Sequence, residues 1–350
     1  MTSATAMVQA DRDKGYVSNA QRSEQGNEVT AAQRARELVW PQLDQVEQTL
    51  VNLPDIEPPE LRNAVMIIVR SGGKRLRPLM VLLTAAMFGH LDRRTVDLAS
   101  AVEMLHTATL VHDDLIDGSL MRRGTSTLNA TWTPAATVLT GDYLFATAAG
   151  LAARTDDPRV IRTFADTLGV IVAGELSQQF TDWTRRSTRE DYYARIYAKT
   201  ASMFILVAKA AGMIGGAREE QLSALVEYGL NFGLAFQIVD DVLDFVAEPE
   251  EVGKPVGNDL RSGLITLPAI CYREANPSDN DINCALQGTC DQVTYDRLVE
   301  RIRESDAIAS SLNEASTHIE RAKLALETFP NNEYRTALYN LTDYALERSR

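Results

Sequence analysis

The chain of 350 residues has 48 acidic against 35 basic side chains, a formal net charge of −13. This negative balance argues against a protein that binds nucleic acid or anionic membrane surfaces. The three cysteines, Cys271, Cys284 and Cys290, form no CxxC pair, so we expect reduced thiols in a cytoplasmic protein and no zinc site. The chain does not open with a signal-peptide pattern, and no apolar run reaches about 18 residues without polar breaks, which predicts neither secretion nor a membrane span.

Hydrophobic residues recur along most of the chain with the period of an α-helix. Residues 1–28 are polar and lack this period, so we predict a disordered leader followed by a single all-α domain over residues 29–350. Helices that are apolar on most faces are expected at the centre of the fold. The predicted helices cover residues 30–51 (with Pro41 as a kink or break), 80–88, 96–117, 160–179, 188–210, 225–245, 294–304, 308–328 and 333–348. Three further helices are predicted to begin at residues 59, 134 and 264. Residues 276–283 are predicted to form a polar loop.

A glycine-rich turn with three cations precedes the helix of residues 80–88. Gly72 and Gly73 are followed by Lys74, Arg75 and Arg77. Backbone N–H groups, the helix dipole and cationic side chains converge at such a turn, which favours an anion-binding site. A solvated basic turn is the alternative. The spacing of a nucleotide-binding P-loop is absent.

The helix predicted over residues 96–117 ends in three carboxylates. Asp113 and Asp117 share one helix face at spacing i, i+4, and Asp114 lies beside them. Carboxylates crowded in this way repel one another and favour a cation, and all-oxygen ligands suit a hard ion such as Mg²⁺. A solvated acidic helix end is the alternative. Arg122 and Arg123 follow closely and are either counter-ions of these aspartates or a clamp for a metal-bridged diphosphate.

A second acidic cluster repeats the same spacing at the end of another long apolar helix. Asp240, Asp241 and Asp244 again stand at i, i+1 and i+4. Two such helix ends can face each other across a cavity and hold several divalent ions with a diphosphate. Between the two clusters, Lys199 and Thr200 interrupt a run of small and apolar residues. This lysine either reaches out to solvent or faces a phosphate.

Taken together, these motifs resemble those of the trans-isoprenyl diphosphate synthases, also called polyprenyl synthetases. The motifs GGKRLRP, DDLID with RRG, KT, FQIVDDVLD and GKPVGNDL occur in this order between Gly72 and Leu260. The resemblance covers nearly the whole chain after the leader. It implies the type I isoprenoid synthase fold, a helical bundle around a deep central cavity, usually as a homodimer. The implied reaction is the Mg²⁺-dependent head-to-tail addition of isopentenyl diphosphate to an allylic diphosphate.

The resemblance also implies a role for each residue that matches a family motif. Asp113 and Asp117 would bind two Mg²⁺ ions with Asp114 in support, and Asp240 would anchor a third ion. Asp241 and Asp244 would assist it. The allylic diphosphate would be held by Arg122, Lys199 and Lys254. Isopentenyl diphosphate would be held by Lys74, Arg77, His106 and Arg123. Thr200 and Gln237 would lie near the developing carbocation.

Two sequence features bear on the residues that contact the diphosphates and on the length of the product. Many relatives carry a lysine ten residues after the one at Lys254, where this chain has Leu264, so one diphosphate contact is absent or supplied elsewhere. In the family, bulky residues four and five positions before the first aspartate stop chain growth. Here these are the small Thr109 and Ala108, which implies a product of about 30–50 carbons. Leu105 and Met104 lie deeper and can still set a limit, which leaves geranylgeranyl diphosphate as a shorter alternative.

Three other functions compete with this interpretation. An HD-type phosphohydrolase beginning at His112-Asp113 needs more histidines, and the other three are poorly spaced. A terpene cyclase shares the first acidic motif but normally has Asn or Asp, Ser or Thr, and Glu at wider spacing in the second. A non-catalytic regulatory subunit usually lacks one of the two acidic motifs, and both are intact here.

Overall fold

The computed structural model describes residues 30–52, 58–70, 73–122, 124–180, 188–246 and 256–347. The predicted leader lies outside the described residues, as do the site candidates Arg123 and Lys254.

The described chain is a bundle of α-helices with one short ribbon. The ribbon pairs β1 (Met121–Arg122) antiparallel with β2 (Thr125–Ser126). The helices are α1 (Ala31–Leu38), α2 (Trp40–Val51), α3 (Pro59–Arg70), α4 (Leu76–Met87), α5 (Arg93–Ile116), α6 (Leu128–Thr131), α7 (Pro134–Ala153), α8 (Pro158–Phe180), α9 (Arg189–Ile196), α10 (Ser202–Ile214), α11 (Glu219–Val246), α12 (Asn258–Arg261), α13 (Leu267–Ala275), α14 (Asn280–Leu286), α15 (Gln292–Glu304), α16 (Ala307–Leu326) and α17 (Glu333–Glu347).

Helix boundaries follow local signals in the sequence. The predicted helix over residues 30–51 breaks at Val39, and Pro41 occupies the first turn of α2, where its missing N–H is tolerated. Helix α5 begins earlier than predicted because the Asp92 side chain caps it, accepting hydrogen bonds from the backbone N–H groups of Arg94 and Thr95. The prediction of a loop over residues 276–283 was wrong in its second half, since Asp279 caps the start of α14 in the same way.

The centre of the bundle is formed by α5, α10 and α11. Helix α5 packs against α4, α7 and α10, while α11 packs against α10 and α16. The stretches Arg189–Ile214 and Glu219–Val246 are long and apolar enough for membrane spans, with mean hydropathies of 1.2 and 1.3. Their most apolar windows are 78% and 61% buried inside the bundle. Packing between helices therefore accounts for their hydropathy.

Two glycines let α10 and α11 approach closely enough to bring site residues together. A Cβ at Gly229 would lie 2.5 Å from the carbonyl oxygen of Phe204, and one at Gly233 would lie 2.5 Å from Cα of Ala201. Any larger residue would separate the two backbones. Immediately before α10, residues Tyr197–Ala201 form a π-helical turn. Such turns are frequent at functional sites, and this one carries Lys199 and Thr200.

Candidate functional site

The two acidic helix ends line a common cavity of about 280 Å³. Helix α5 contributes Asp113, helix α11 contributes Asp240, and the π-helical turn lies between them. Among the predicted site residues, the structure brings together at this cavity Arg77, His106, Thr109, Asp113, Arg122, Lys199, Thr200, Gln237 and Asp240. The wall also includes Ile171, Glu175 and Phe236.

Within each acidic motif the middle aspartate is buried and engaged by other residues. Asp114 and Asp241 are both buried, whereas Asp117 and Asp240 are exposed. Asp113 and Asp240 line the cavity, and the helical period turns the middle residue of each motif towards the bundle. The outer carboxylates are therefore the ones that can reach a ligand.

Asp114 is held by the ribbon that follows α5. Nε of Arg122 donates a hydrogen bond of 2.8 Å to Oδ1 of Asp114. Burial raises the pKa of Asp114, the ion pair with Arg122 lowers it, and the neighbouring Asp113 and Asp117 raise it, with a net increase. The structure thus pairs Asp114, the residue expected in a supporting role, with an arginine.

Lys199 bridges two carboxylates on the cavity wall. Its Nζ lies 3.3 Å from Oδ2 of Asp113 and 3.2 Å from Oε1 of Glu175. Burial lowers the pKa of this lysine, but Asp113 and Glu175 outweigh burial and raise it. The side chain thus remains charged at neutral pH. Glu175 was not among the predicted residues, although a charged residue within an apolar stretch of α8 is a usable signal.

A chain of neutral donors fixes the second motif. Thr200 Oγ1 donates to Oε1 of Gln237 at 2.6 Å, and Nε2 of Gln237 donates to Oδ1 of Asp241 at 2.8 Å. The other carboxylate oxygen, Oδ2, accepts a bond of 2.8 Å from the hydroxyl of Tyr192. Burial raises the pKa of Asp241 to about 7, although both hydrogen bonds act to lower it. Tyr192 has no motif signal in the sequence, and only the fold reveals it.

Asp244 anchors the loop that follows α11. Its backbone carbonyl accepts from the N–H of Gly257 at 2.8 Å, and its Oδ2 accepts from the N–H of Asp259 at 3.0 Å. Burial and the nearby Asp244, Asp241 and Asp240 raise the pKa of Asp259 to about 8. The N–H of Leu264 donates to the carbonyl of Asp259. The loop that carries the departure from the family pattern is thus tied to the second acidic motif.

The cations of the glycine-rich turn have different environments. The guanidinium of Arg77 lies 4.8 Å from the ring centroid of Phe204 at the cavity, whereas Nζ of Lys74 lies over the ring of Tyr344, away from it. Arg75 is paired with Glu47 at 2.6 Å and with Glu103 at 2.8 Å. These ion pairs tie the Arg75 guanidinium to neighbouring helices, and the anion site of the glycine-rich turn stays a prediction.

The residues expected to limit product length lie at two depths. Thr109, one helical turn before Asp113, lines the cavity. Ala108, Leu105 and Met104 have no exposed surface and belong to the packed core. Helix α5 therefore contributes the small Thr109 to the cavity wall beside the larger His106 and Leu110, and α11 contributes Phe236.

The outer carboxylates suit a metal ion that is bound by protein and substrate together better than one held by protein ligands alone. Within the described ranges, no three His, Cys, Asp or Glu side chains cluster tightly enough to hold a metal ion alone. Hard oxygen ligands supplied one or two at a time suit an ion such as Mg²⁺, which keeps several waters and is completed by substrate phosphates. Asp113, Asp117, Asp240 and Asp244 are the residues that can supply them.

Comparison with known proteins identifies the family. The polyprenyl synthetase family model matches residues 58–301. An octaprenyl diphosphate synthase from Haemophilus influenzae is 34% identical over 316 residues, which cover 90% of this chain and 96% of the relative.

Solved structures agree with this match. A decaprenyl diphosphate synthase from Rhodobacter capsulatus has a TM-score of 0.84 at 32% identity, covering 91% of this chain and 99% of that one. A polyprenyl synthase from Caulobacter crescentus CB15, solved with calcium and isoprenyl diphosphate, has a TM-score of 0.83 at 34% identity and covers 93% and 99%. The helical fold and the resemblance predicted from the sequence are confirmed. The chain belongs to the polyprenyl synthetase family and is an enzyme that transfers prenyl groups to make a polyprenyl diphosphate.

Proposed function

We propose that this enzyme uses Mg²⁺ to condense isopentenyl diphosphate with allylic diphosphates, and that its product is an all-trans polyprenyl diphosphate of about 30–50 carbons. The observation that carries the proposal is the cavity between the two acidic helix ends. Asp113 and Asp240 line it together with the cations Arg77, Arg122 and Lys199. Carboxylates for metal ions and cations for phosphate oxygens thus share one site.

The aspartates divide into ligands and supports. We assign two Mg²⁺ ions to Asp113 and Asp117 and a third to Asp240, with Asp244 assisting. Mg²⁺ bound there would act as a Lewis acid that stabilises the charge of the departing diphosphate. Asp114 and Asp241 act indirectly, since their oxygens are engaged by Arg122 and by Gln237 with Tyr192.

Cationic side chains hold the two diphosphates. We assign Arg122, Lys199 and Lys254 to the allylic substrate. The raised pKa of Lys199 keeps it charged for this role, and its position between two carboxylates holds it at the cavity wall. The proposed contacts to isopentenyl diphosphate are Lys74, Arg77, His106 and Arg123.

The deeper wall is suited to an allylic carbocation. Thr200 and Gln237 are joined by a hydrogen bond, so their oxygens are fixed beside the place where positive charge develops. The ring of Phe236 and the side chain of Ile171 line the same wall, where they exclude water and offer an aromatic face to a cation. The alkene of isopentenyl diphosphate then attacks the cation, and we propose that the released diphosphate accepts the proton.

A product assay tests this function and the chain length together. Purified protein is incubated with Mg²⁺, labelled isopentenyl diphosphate and farnesyl diphosphate, and the dephosphorylated alcohols are sized. We expect a ladder that ends at about 30–50 carbons. A stop at 20 carbons would identify a geranylgeranyl diphosphate synthase, and absence of product with every primer would favour a regulatory subunit.

Two substitutions in α5 locate the limit on chain growth. Thr109→Phe places an aromatic ring into the cavity one turn below Asp113 and is expected to shorten the product. Ala108→Phe, at a position without exposed surface, is expected to shorten it by displacing the packed wall. A product of unchanged length in both variants would show that growth does not pass this part of α5.

We also propose that the enzyme is cytoplasmic and that it forms a homodimer. In this dimer the surface formed by α7 and α8 of one protomer contacts the same surface of its partner. Leu139 on α7 is 67% exposed, and Leu176 and Phe180 on α8 are 51% and 84% exposed. Helices α7 and α8 pack together, and large exposed apolar side chains on such a pair mark an interaction site. Leu139→Glu should yield monomers in analytical ultracentrifugation. Leu324→Glu, at an equally exposed leucine on α16, is the control and should leave the mass unchanged.

A further inference from the structure

Two of the three cysteines lie at the ends of a single turn. Cys284 is in the last turns of α14, and Cys290 stands two residues before α15. Both are partly exposed, whereas Cys271 in α13 is buried. The turn is remote in sequence from both acidic motifs and has no part in the proposed reaction.

The end of α14 folds the chain back on itself. Gly288 has a φ of 66°, a conformation that glycine adopts without strain. Its N–H donates to the carbonyl of Ala285, and the N–H of Thr289 donates to the carbonyl of Cys284. This pair of bonds is a Schellman motif. The Thr289 hydroxyl oxygen lies 3.5 Å from Sγ of Cys284, so the reversed chain is packed against the helix.

The reversal carries the second thiol to the side of the first. Sγ of Cys290 lies 3.6 Å from the carbonyl oxygen of Asp281, which is one helical turn before Cys284. Burial and a hydrogen bond with Cys284 raise the pKa of Cys290 to about 12.

We propose that Cys284 and Cys290 form a dithiol that a peroxide oxidises reversibly to an intramolecular disulfide. The sulfur of Cys284 attacks a peroxide oxygen, the O–O bond breaks, and a sulfenic acid and water are formed. The sulfur of Cys290 then attacks the sulfenic sulfur, the S–O bond breaks, and a second water leaves. Two thiols are oxidised by two electrons, and hydrogen peroxide is reduced to two waters.

The assignment of the two roles follows from their surroundings. Cys284 lies on an exposed turn beside the Thr289 hydroxyl, so we assign it to meet the oxidant, and Cys290, which is partly buried against the Asp281 carbonyl, resolves the sulfenic acid. A disulfide in a cytoplasmic protein is usually transient and responds to oxidant. We therefore expect the bond to form on exposure to peroxide and to reverse with dithiothreitol.

The position of the turn links it mechanically to the second acidic motif. Helix α15, which starts two residues after Cys290, packs Val299 against Gly257, where a Cβ would lie 2.4 Å from Cγ2 of Val299. The N–H of Gly257 in turn donates to the carbonyl of Asp244. A cross-link before α15 would thus restrain the helix that supports this loop.

Peptide mapping tests the proposal because trypsin leaves the two proposed partners in one peptide and the third cysteine in another. Both Cys284 and Cys290 fall in the peptide 274–297, and Cys271 falls in 262–273. The full chain is treated with hydrogen peroxide, denatured, alkylated with iodoacetamide and digested. We expect peptide 274–297 without alkylation and lighter by two hydrogens, peptide 262–273 alkylated, and full alkylation of both peptides after dithiothreitol.

Single substitutions provide the controls. Cys284→Ser should abolish the internal link, and Cys271→Ser should retain it. The proposal is overturned if Cys284 and Cys290 are both alkylated after peroxide treatment, if they carry sulfinic acids instead of a link, or if Cys271 is joined to either of them. The measurement requires no prenyl substrate, so its failure is independent of the proposed catalytic function.

Discussion

The two acidic motifs have the same spacing but are anchored by different chemistry. In the first, Asp114 is held by a charged partner, Arg122. In the second, Asp241 is held by the neutral donors Gln237 and Tyr192. Both middle aspartates are buried. The pKa of each is raised, and that of Asp241 reaches about 7.

This difference shows that one sequence motif can be fixed in two ways. An arginine compensates the charge of Asp114 but ties it to a ribbon outside the helices. Neutral donors tie Asp241 to the turn that carries Thr200, and the nearby charge of Arg195 only partly offsets the effect of burial on its pKa. The first motif should therefore be sensitive to removal of charge, and the second to pH and to loss of hydrogen bonds.

The largest expected effect comes from removing the outer aspartates. Asp113→Ala and Asp240→Ala should each lower kcat about 100- to 1,000-fold or more, since each removes a group that stabilises developing charge. Circular dichroism should show an intact fold, because neither carboxylate lies in the core. Near-normal turnover in either variant would contradict the proposed metal assignment for that motif.

A smaller loss is expected when the hydroxyl that supports the second motif is removed. Tyr192→Phe leaves one oxygen of the buried Asp241 without its donor, which should lower the free energy of unfolding by about 1–3 kcal/mol and also lower kcat. Tyr193→Phe is a matched control, because its hydroxyl donates to Glu314 instead of a motif residue. It should lose some stability by thermal unfolding and keep its turnover. Equal turnover in the two variants would argue against a positioning role for Tyr192.

The pH dependence of stability should distinguish the two motifs in metal-free protein. The raised pKa of Asp241 means that the folded chain binds a proton which the unfolded chain has released above about pH 4. Its contribution to stability is therefore lost as the pH rises to about 7, and the melting temperature in EDTA should fall over this range. Asp241→Asn removes this titration and should make the profile shallower, with the raised pKa of Asp259 accounting for the slope that remains, whereas an unchanged profile would locate the titration elsewhere.

The smallest effect is expected at the departure from the family pattern. Leu264→Lys restores a cation to the loop behind the second motif and should lower KM for the allylic diphosphate by up to about fivefold, since one partly exposed charged contact contributes about 1 kcal/mol. Initial rates at varied farnesyl diphosphate would measure this change. An increase in KM would indicate that the leucine packs where the lysine of relatives reaches the substrate.

Sequence reasoning succeeded where a signal is local. Helical periodicity predicted the bundle, and the spacing of Asp113 with Asp117 predicted two carboxylates on one face. It failed where partners are distant in sequence. Arg75 pairs with Glu47, 28 residues away, and Tyr192 bonds to Asp241, 49 residues away. Such contacts depend on how helices pack, and no local pattern encodes them.

The π-helical turn of Tyr197–Ala201 has a consequence for how this enzyme tolerates insertions and deletions in its polypeptide chain. A wider turn accommodates one more residue than the regular helical register, and each residue of an α-helix rotates the next by about 100°. Deleting a single residue here would restore a regular helix and rotate Lys199 or Thr200 away from its partner. Substitutions at the exposed Tyr197 should be accepted during evolution, while insertions and deletions in this turn should be eliminated.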